Sequence, residues 1–272
     1  MTQPPASICS FPHNLPRPLH DRGLALAATI QIGRTGDTAR IFAAAGYDTL
    51  VIDGEHNLFP ADAVTGLCLI ALEGGMLPIM RLPDEAPGPI RQALSAGAMG
   101  VMVARVETPE TASAIVRATR FPPEGSRPVP PVFPQFGRQP FGQAAAIEAL
   151  AVRTVVIVLI ETSAGLDRVQ EIAAVPGVDV VFLGLSDLST DLGIAGQKDD
   201  TRLWAAATRV CAACKAAGVR AGIGGLVTPE QFTRAIAEQF SYVSAAHDAT
   251  LLATAAAERA HKLRRLLICN QN

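Results

Sequence analysis

Eight short apolar runs recur along the chain, each followed by a segment with helical signals. They are LALAATI (24–30), TLVIDG (49–54), LPIMRL (77–82), MGVMVARV (99–106), TVVIVLIET (154–162), DVVFLG (179–184), VRAGIGG (219–225) and SYVSAAH (241–247). The runs are continuous rather than alternating, the pattern of strands covered on both faces. Between them, TPETASAIVRATR opens with Thr108 and Pro109, and TPEQFTRAIAEQ repeats that opening with Thr228 and Pro229. A threonine cap with proline at the first helical position is a helix start. AAAGYD, SAGAMG and KAAGVR close helices on glycine before the next run. Eight strands alternating with helices predict an α/β chain, a (β/α)8 TIM barrel over 23–272 preceded by an irregular N-terminal arm over 1–22. An open doubly wound sheet is the alternative.

Composition removes several function classes. Lys+Arg 23 against Asp+Glu 25 gives a net charge of -2. That balance offers no electrostatic footprint for nucleic acid and no polybasic patch for a membrane. No apolar run reaches the roughly 18 residues of a spanning helix. The start of the chain has no basic, apolar signal pattern. The five cysteines have no framework spacing, which predicts a cytoplasmic protein. Cys211 and Cys214 form a C-x-x-C inside RLWAAATRVCAACKAAG, read as buried helix cysteines because no second pair completes a zinc site.

A barrel places its chemistry at the carboxyl ends of its strands. There the sequence puts Gln31, then Asp53, Glu55 and His56, then Arg81, Arg105 and Glu107, Glu161 and Thr162, Ser186 and Asp187, Gly224 and Gly225, and His247 and Asp248. Glu161 and Asp187 fall on neighbouring strands, about 4.8 Å apart. They can share one hard cation of the Mg²⁺, Mn²⁺ or Co²⁺ kind, or each can pair with an arginine. His56 is the expected acid–base group, with Asp53 close enough to orient it. Arg81 ends an otherwise apolar strand, where a cation would hold a carboxylate or oxyanion. Gly184 and Ser186 join Arg81 as expected substrate contacts. GIGG (222–225) reads either as phosphate-binding backbone or as turn chemistry.

One interval breaks the rhythm. FPPEGSRPVPPVFPQFGRQPFG (121–142) holds seven of the twenty prolines and four of the ten phenylalanines. Its length predicts a functional segment. It is expected as a lid over the barrel mouth or as subunit-contact surface.

YDTLVIDGEH (47–56), LPIMRLP (77–83), IETSAGLDRVQEIAAVPGVDVVFLGLSDLSTDLG (160–193) and HDATLL (247–252) together resemble the HpcH/HpaI aldolase family, from about residue 22 to 258. The resemblance implies a metal-dependent, class II 2-oxo-acid aldolase on a (β/α)8 barrel. It implies a homo-oligomer based on dimers and extending to hexamers. Residue by residue, it makes Glu161 and Asp187 the metal ligands, His56 the catalytic base with Asp53 beside it, and Arg81 the enolate-stabilising cation. The reaction implied is reversible cleavage of a 4-hydroxy-2-oxo acid to pyruvate, or a relative such as hydroxypyruvate, and an aldehyde. No lysine stands in an apolar run, which disfavours a Schiff-base route. Alternatives are a citrate-lyase-like lyase acting on another oxo acid or acyl-CoA ester, and a barrel that binds an oxo acid without turnover. The chain departs from the family at Ser95, Leu159, Leu185, Ser186 and Pro128, where Asp, Gln, Pro, Ala and Gly are usual.

Overall fold

The structure, a computed structural model, describes residues 19–137 and 142–269. The arm expected over 1–22 therefore lies outside the described residues except at its end, as do Cys9, His13 and residues 138–141 of the proline-rich interval.

The eight runs are eight strands: β1 (Ala25–Ile30), β2 (Thr49–Asp53), β3 (Leu77–Leu82), β4 (Gly100–Val103), β5 (Val155–Ile160), β6 (Val180–Gly184), β7 (Arg220–Gly224) and β8 (Tyr242–His247). All pair in parallel, in sequence order, and β8 closes on β1. The barrel is thus a TIM barrel and not the open sheet. Between the strands run α1 (Gly36–Ala44), α2 (Ala61–Glu73), α3 (Pro87–Ala96), α4 (Pro109–Thr119), α5 (Gln143–Ala151), α6 (Ser163–Asp167), α7 (Val169–Ala173), α8 (Leu185–Asp191), α9 (Thr201–Ala217) and α10 (Pro229–Ala237). The last helix is α11 (Asp248–Cys269). No helix among the described residues is long and apolar enough to cross a membrane.

Local chemistry explains the helix ends. The Thr108 hydroxyl accepts from Thr111 N and caps α4, and Thr228 forms a full capping box with Gln231 on α10. The longest barrel helix, α9, starts at Asp200, whose carboxylate accepts from Arg202 N, and stops at left-handed Gly218. Leu203, Ala207, Val210 and Cys214 are buried along one face of it, at the 4-3-4 spacing of a core-facing stripe. Cys211 and Cys214 are free thiols on this helix; Cys214 is buried as expected, whereas Cys211 is half-buried.

Two apolar layers follow from strand parity. Leu50, Ile52, Val101, Val103, Val156, Val158, Val181 and Leu183 face the helices. Val51, Ile79, Met102, Ile157, Leu159 and Phe182 fill the barrel. A side chain two residues beyond an inward residue also points inward. Asp53, Arg81, Glu161 and Gly184 occupy those positions, so the apolar plug stops where the polar site starts.

The described part of the interval 121–142 is not a lid. It leads from α4 towards α5, which precedes β5, and it lies at the amino ends of the strands, opposite the mouth. Phe121, Phe133 and Phe136 are buried edge-to-face, with centroids 6.4 and 6.1 Å apart. They pack with Leu77, Met99 and Val155, at or next to strand starts. Gln135 Nε2 pins the segment by donating to the carbonyls of Leu94 (2.6 Å) and Ala98 (3.1 Å). At the same end Arg220 donates to the carbonyls of Leu19 and Arg22 (2.6 and 2.7 Å), holding the first described turn against β7 and β8.

Candidate active site

A cavity of about 210 Å³ opens at the carboxyl ends of the strands. Six of the seven predicted site residues line it: His56, Arg81, Glu161, Gly184, Ser186 and Asp187. The seventh, Asp53, is fully buried behind Arg81. Register explains the pairing, because Asp53 on β2 stands opposite Arg81 on β3. Arg81 donates to both oxygens of Asp53, from Nε at 2.9 Å and Nη2 at 2.7 Å. Burial pushes the Asp53 carboxyl up, but the hydrogen bonds and charge of Arg81 outweigh it, and the net shift is downward. Asp53 thus holds the guanidinium in place.

Asp53 meets His56 only through the backbone, accepting from His56 N at 3.3 Å. The acid beside the imidazole is Glu55, whose Oε2 lies 3.8 Å from Nε2 and 3.3 Å from Arg81 Nε. Burial lifts the Glu55 carboxyl above its ordinary range despite Arg81. The sequence placed Glu55 at this rim as an acid near His56 or a charge at a helix start, and gave the catalytic part to Asp53. Its signal was position alone, two residues past the last inward strand residue.

Glu161 is 4% exposed. Its Oε1 accepts from Arg105 N at 2.8 Å. Arg105 sits at φ 52, in the left-handed region, which is strained for a side chain of this size and aims the N–H at the carboxylate. Glu161 is pushed up to about 7, by burial first and then by the charges of Glu55 and Asp187. Gly184 makes room for it: a Cβ there would stand 3.0 Å from Glu161 Oε2. Asp187, exposed at the mouth in the first turn of α8, is the second carboxylate on the cavity wall.

A bulge adds a further group. The β1–β8 register shifts between Ala27 and Ala28, so Ala27 pairs with Ser244 and Ala28 with Ala246. The extra residue inverts the parity of β8. Ser244 and His247 therefore both line the cavity. Burial, then the charge of Arg81, lowers the His247 pKa and favours its neutral ring. Asp248 turns away and accepts from the backbone N–H groups of Gln31, Ile32 and Gly33. The glycines of β7 are packing features, since a Cβ on Gly222 or Gly224 would meet the Phe182 ring at 2.6 or 2.8 Å. Among the departures, Leu159 lines the cavity below Glu161, whereas Ser95 is exposed at the end of α3.

Among the described residues, no group of three or more His, Cys, Asp or Glu side chains could hold a metal by itself. A cation here would rest on Glu161 and Asp187, with substrate and water oxygens completing its shell. The donors fit such an ion. Both are hard carboxylates, and Gly184 leaves space against Glu161.

A family profile described as HpcH/HpaI aldolase/citrate lyase matches residues 32–255. The chain is 36% identical over 230 residues to a hydroxypyruvate/pyruvate aldolase of Chromohalobacter salexigens, covering 82% of this chain and 87% of that one. It is 33% identical over 189 residues to a 4-hydroxy-4-methyl-2-oxoglutarate aldolase of Chaetomium globosum, 69% and 70% of the two chains. Among solved structures, an HpcH/HpaI aldolase from Desulfitobacterium hafniense superposes with a TM-score of 0.85 at 25% identity, over 90% of this chain and 94% of that one.

Proposed function

The chain belongs to the HpcH/HpaI aldolase/citrate lyase family, and on that premise we propose how its cavity works. It is a carbon–carbon lyase, an aldolase that cleaves a hydroxy-oxo acid to pyruvate, as its relatives are named. The observation that carries the mechanism is the convergence of Glu161, Asp187, Arg81 and His56 on one cavity. We assign it the class II route. When bound by Glu161 and Asp187, a divalent cation (Mg²⁺, Mn²⁺ or Co²⁺) supplies the Lewis-acid charge that lowers the cost of an enolate.

This chain's own residues do the rest. Arg81, fixed by Asp53, binds the oxo acid and balances the charge that develops on its C2 oxygen. His56 stands at the mouth beside Glu55 and takes the proton from the 4-hydroxyl, directly or through water. The C3–C4 bond breaks, its electrons pass into the enolate, and the aldehyde leaves. Protonation at C3 then gives pyruvate or a close relative. Gly184 and Ser186 complete the substrate surface.

Exchange of the C3 protons of pyruvate, followed by NMR in D₂O, tests the reading. Exchange with Mg²⁺, Mn²⁺ or Co²⁺ that Glu161→Ala abolishes is the expected result. No exchange with any of the three ions would sink it.

We also propose that the chain works as a cytoplasmic homo-oligomer. Residues 250–266 of α11 are all exposed and carry Leu251, Leu252, Leu263 and Leu266, an apolar set that a second copy would cover. Light scattering checks this, and a monomer at micromolar concentration would overturn it.

A further inference from the structure

The cavity mouth carries a cation that the mechanism leaves unused. Lys198 belongs to the segment between α8 and α9, eleven residues beyond Asp187. Its Nζ donates to Ser186 Oγ at 2.9 Å. A Cβ on Gly225 would stand 3.0 Å from Ser186 Oγ and 3.3 Å from Lys198 Nζ. Ser186 and Gly225 both line the cavity, so the ammonium stands at its β6–β7 edge.

The backbone around Lys198 is held in place. Trp204 Nε1 donates to the Lys198 carbonyl at 3.1 Å. Gln231 Nε2 donates to Asp199 Oδ1 at 2.8 Å, and Asp200 caps α9. A lysine on a free loop would spend its time in water. This one is half-buried and held at the edge of the mouth by its hydrogen bond. Among the described residues, no carboxylate comes within 4 Å of Nζ, and Ser186 Oγ is its one acceptor. An ammonium has three N–H groups to give. Asp187 attracts it only at longer range.

Position decides which part of the substrate it meets. The oxo-acid end belongs between the Glu161–Asp187 pair and Arg81. A substituent carried by the aldehyde half therefore projects toward the mouth, past Ser186. We propose that Lys198, presented by Ser186 beside Gly225, is the specificity-determining residue that takes a carboxylate on the aldehyde half of the substrate. This rests on the aldolase reading above. The two positions act together, because the Ser186 hydroxyl is what holds the Lys198 ammonium at the edge of the cavity.

The test compares two acceptors of similar length with pyruvate as donor, 4-oxobutanoate and the uncharged pentanal. In the wild-type protein kcat/KM favours 4-oxobutanoate, and its KM rises with ionic strength while that of pentanal does not. In Lys198→Met the preference falls about tenfold or more, the range of a lost charge-assisted hydrogen bond, and the salt dependence disappears. Lys198→Arg retains most of both. Ser186→Ala loses part of the preference. Equal losses for both acceptors in Lys198→Met, or an unchanged ratio, overturn the proposal. So does a wild-type protein with no preference and no salt effect, a result that requires no variant to fold. Pyruvate C3 exchange in the wild type separates the two levels. If exchange is present and the ratio does not move, the Lys198 assignment fails alone; if exchange is absent, the aldolase reading fails with it.

Discussion

Arg81→Met should destabilise the protein strongly, and Asp53→Asn in the same chain should restore most of the loss. Asp53 has no exposed surface, and Arg81 gives it two charge-assisted hydrogen bonds at 2.7 and 2.9 Å. The other donors to it, His56 N, Gln31 Nε2 and Asn57 Nδ2, stand at 3.2–3.3 Å. Removing one partner of a buried pair leaves an uncompensated charge and costs about 3–5 kcal/mol. Domains are stable by only about 5–15 kcal/mol, so the single variant is expected to lose about a fifth of its stability or more. The double variant, neutral and of nearly the same volume at position 53, should return to within about 2 kcal/mol of the wild type.

The pH dependence has a definite sign. In the wild type the folded pKa of Asp53 lies below the ordinary 3.8. Its contribution is full above that value and is lost as pH falls through the folded pKa. In Arg81→Met burial, the largest influence, is opposed only by the longer hydrogen bonds from His56 N and Gln31; the folded pKa is expected to rise above 3.8, and the folded state to bind the extra proton. The deficit of the variant therefore grows between about pH 4 and pH 8. Urea unfolding in EDTA at pH 5 and pH 8 measures it. A variant as stable as the wild type at pH 8, or a double variant no better than the single, would refute the view that Arg81 and Asp53 act as one buried unit.

Gly184→Ala puts a Cβ 3.0 Å from Glu161 Oε2 and should weaken Mg²⁺ binding by about tenfold through the displaced carboxylate, read by calorimetry, with the unfolding midpoint little changed. Metal-free protein should lose stability as pH rises from 4.5 to about 7, because Glu161 is held up in the folded state. That loss is worth about 3 kcal/mol at 1.36 kcal/mol per unit; Glu161→Gln should flatten the slope, and an unchanged slope would remove Glu161 as its source. Cys211 and Cys214, both pushed up to about 12 by burial, should resist iodoacetamide at pH 8 in the folded state, with rapid alkylation counting against an inert structural role.

The strands were legible because a barrel strand is apolar on both faces, and each run ended within two residues of its structural end except the fourth, which ran three residues past Val103. The polar residue that stopped a run was therefore a sound guide to the rim. Which neighbour entered the cavity was less legible, because that depends on parity. Parity held for Asp53, Arg81 and Glu161, and the bulge in β8 inverted it for His247. Asp53 shows a further limit: inward on its strand, it became the buried support of Arg81 rather than cavity surface. The described part of 121–142 was not legible, since a connection of that length can reach either end of a barrel; the burial of Phe121, Phe133 and Phe136 beside the strand starts places it at the amino ends. Lys198 had no signal, because nothing local ties a loop lysine to a serine twelve positions earlier.

The charges of the site explain why these residues need one another. Asp53, Glu55, Glu161 and Asp187 bring four carboxylates to one strand-end region, and Arg81 is committed to the first two. Burial first, and then the charges of Glu55 and Asp187, push Glu161 up to about 7. A 2-oxo acid adds another carboxylate. Without further cations, substrate and site would repel, and the enolate formed on cleavage would increase the burden. A divalent ion on Glu161 and Asp187, as proposed, would reverse that balance at the reacting end. Lys198 would reverse it at the mouth, where a second substrate carboxylate would otherwise face Asp187. On the proposed reading the cations would divide the substrate along its length: Arg81 and the metal for the half that becomes pyruvate, Lys198 for the half that leaves as aldehyde.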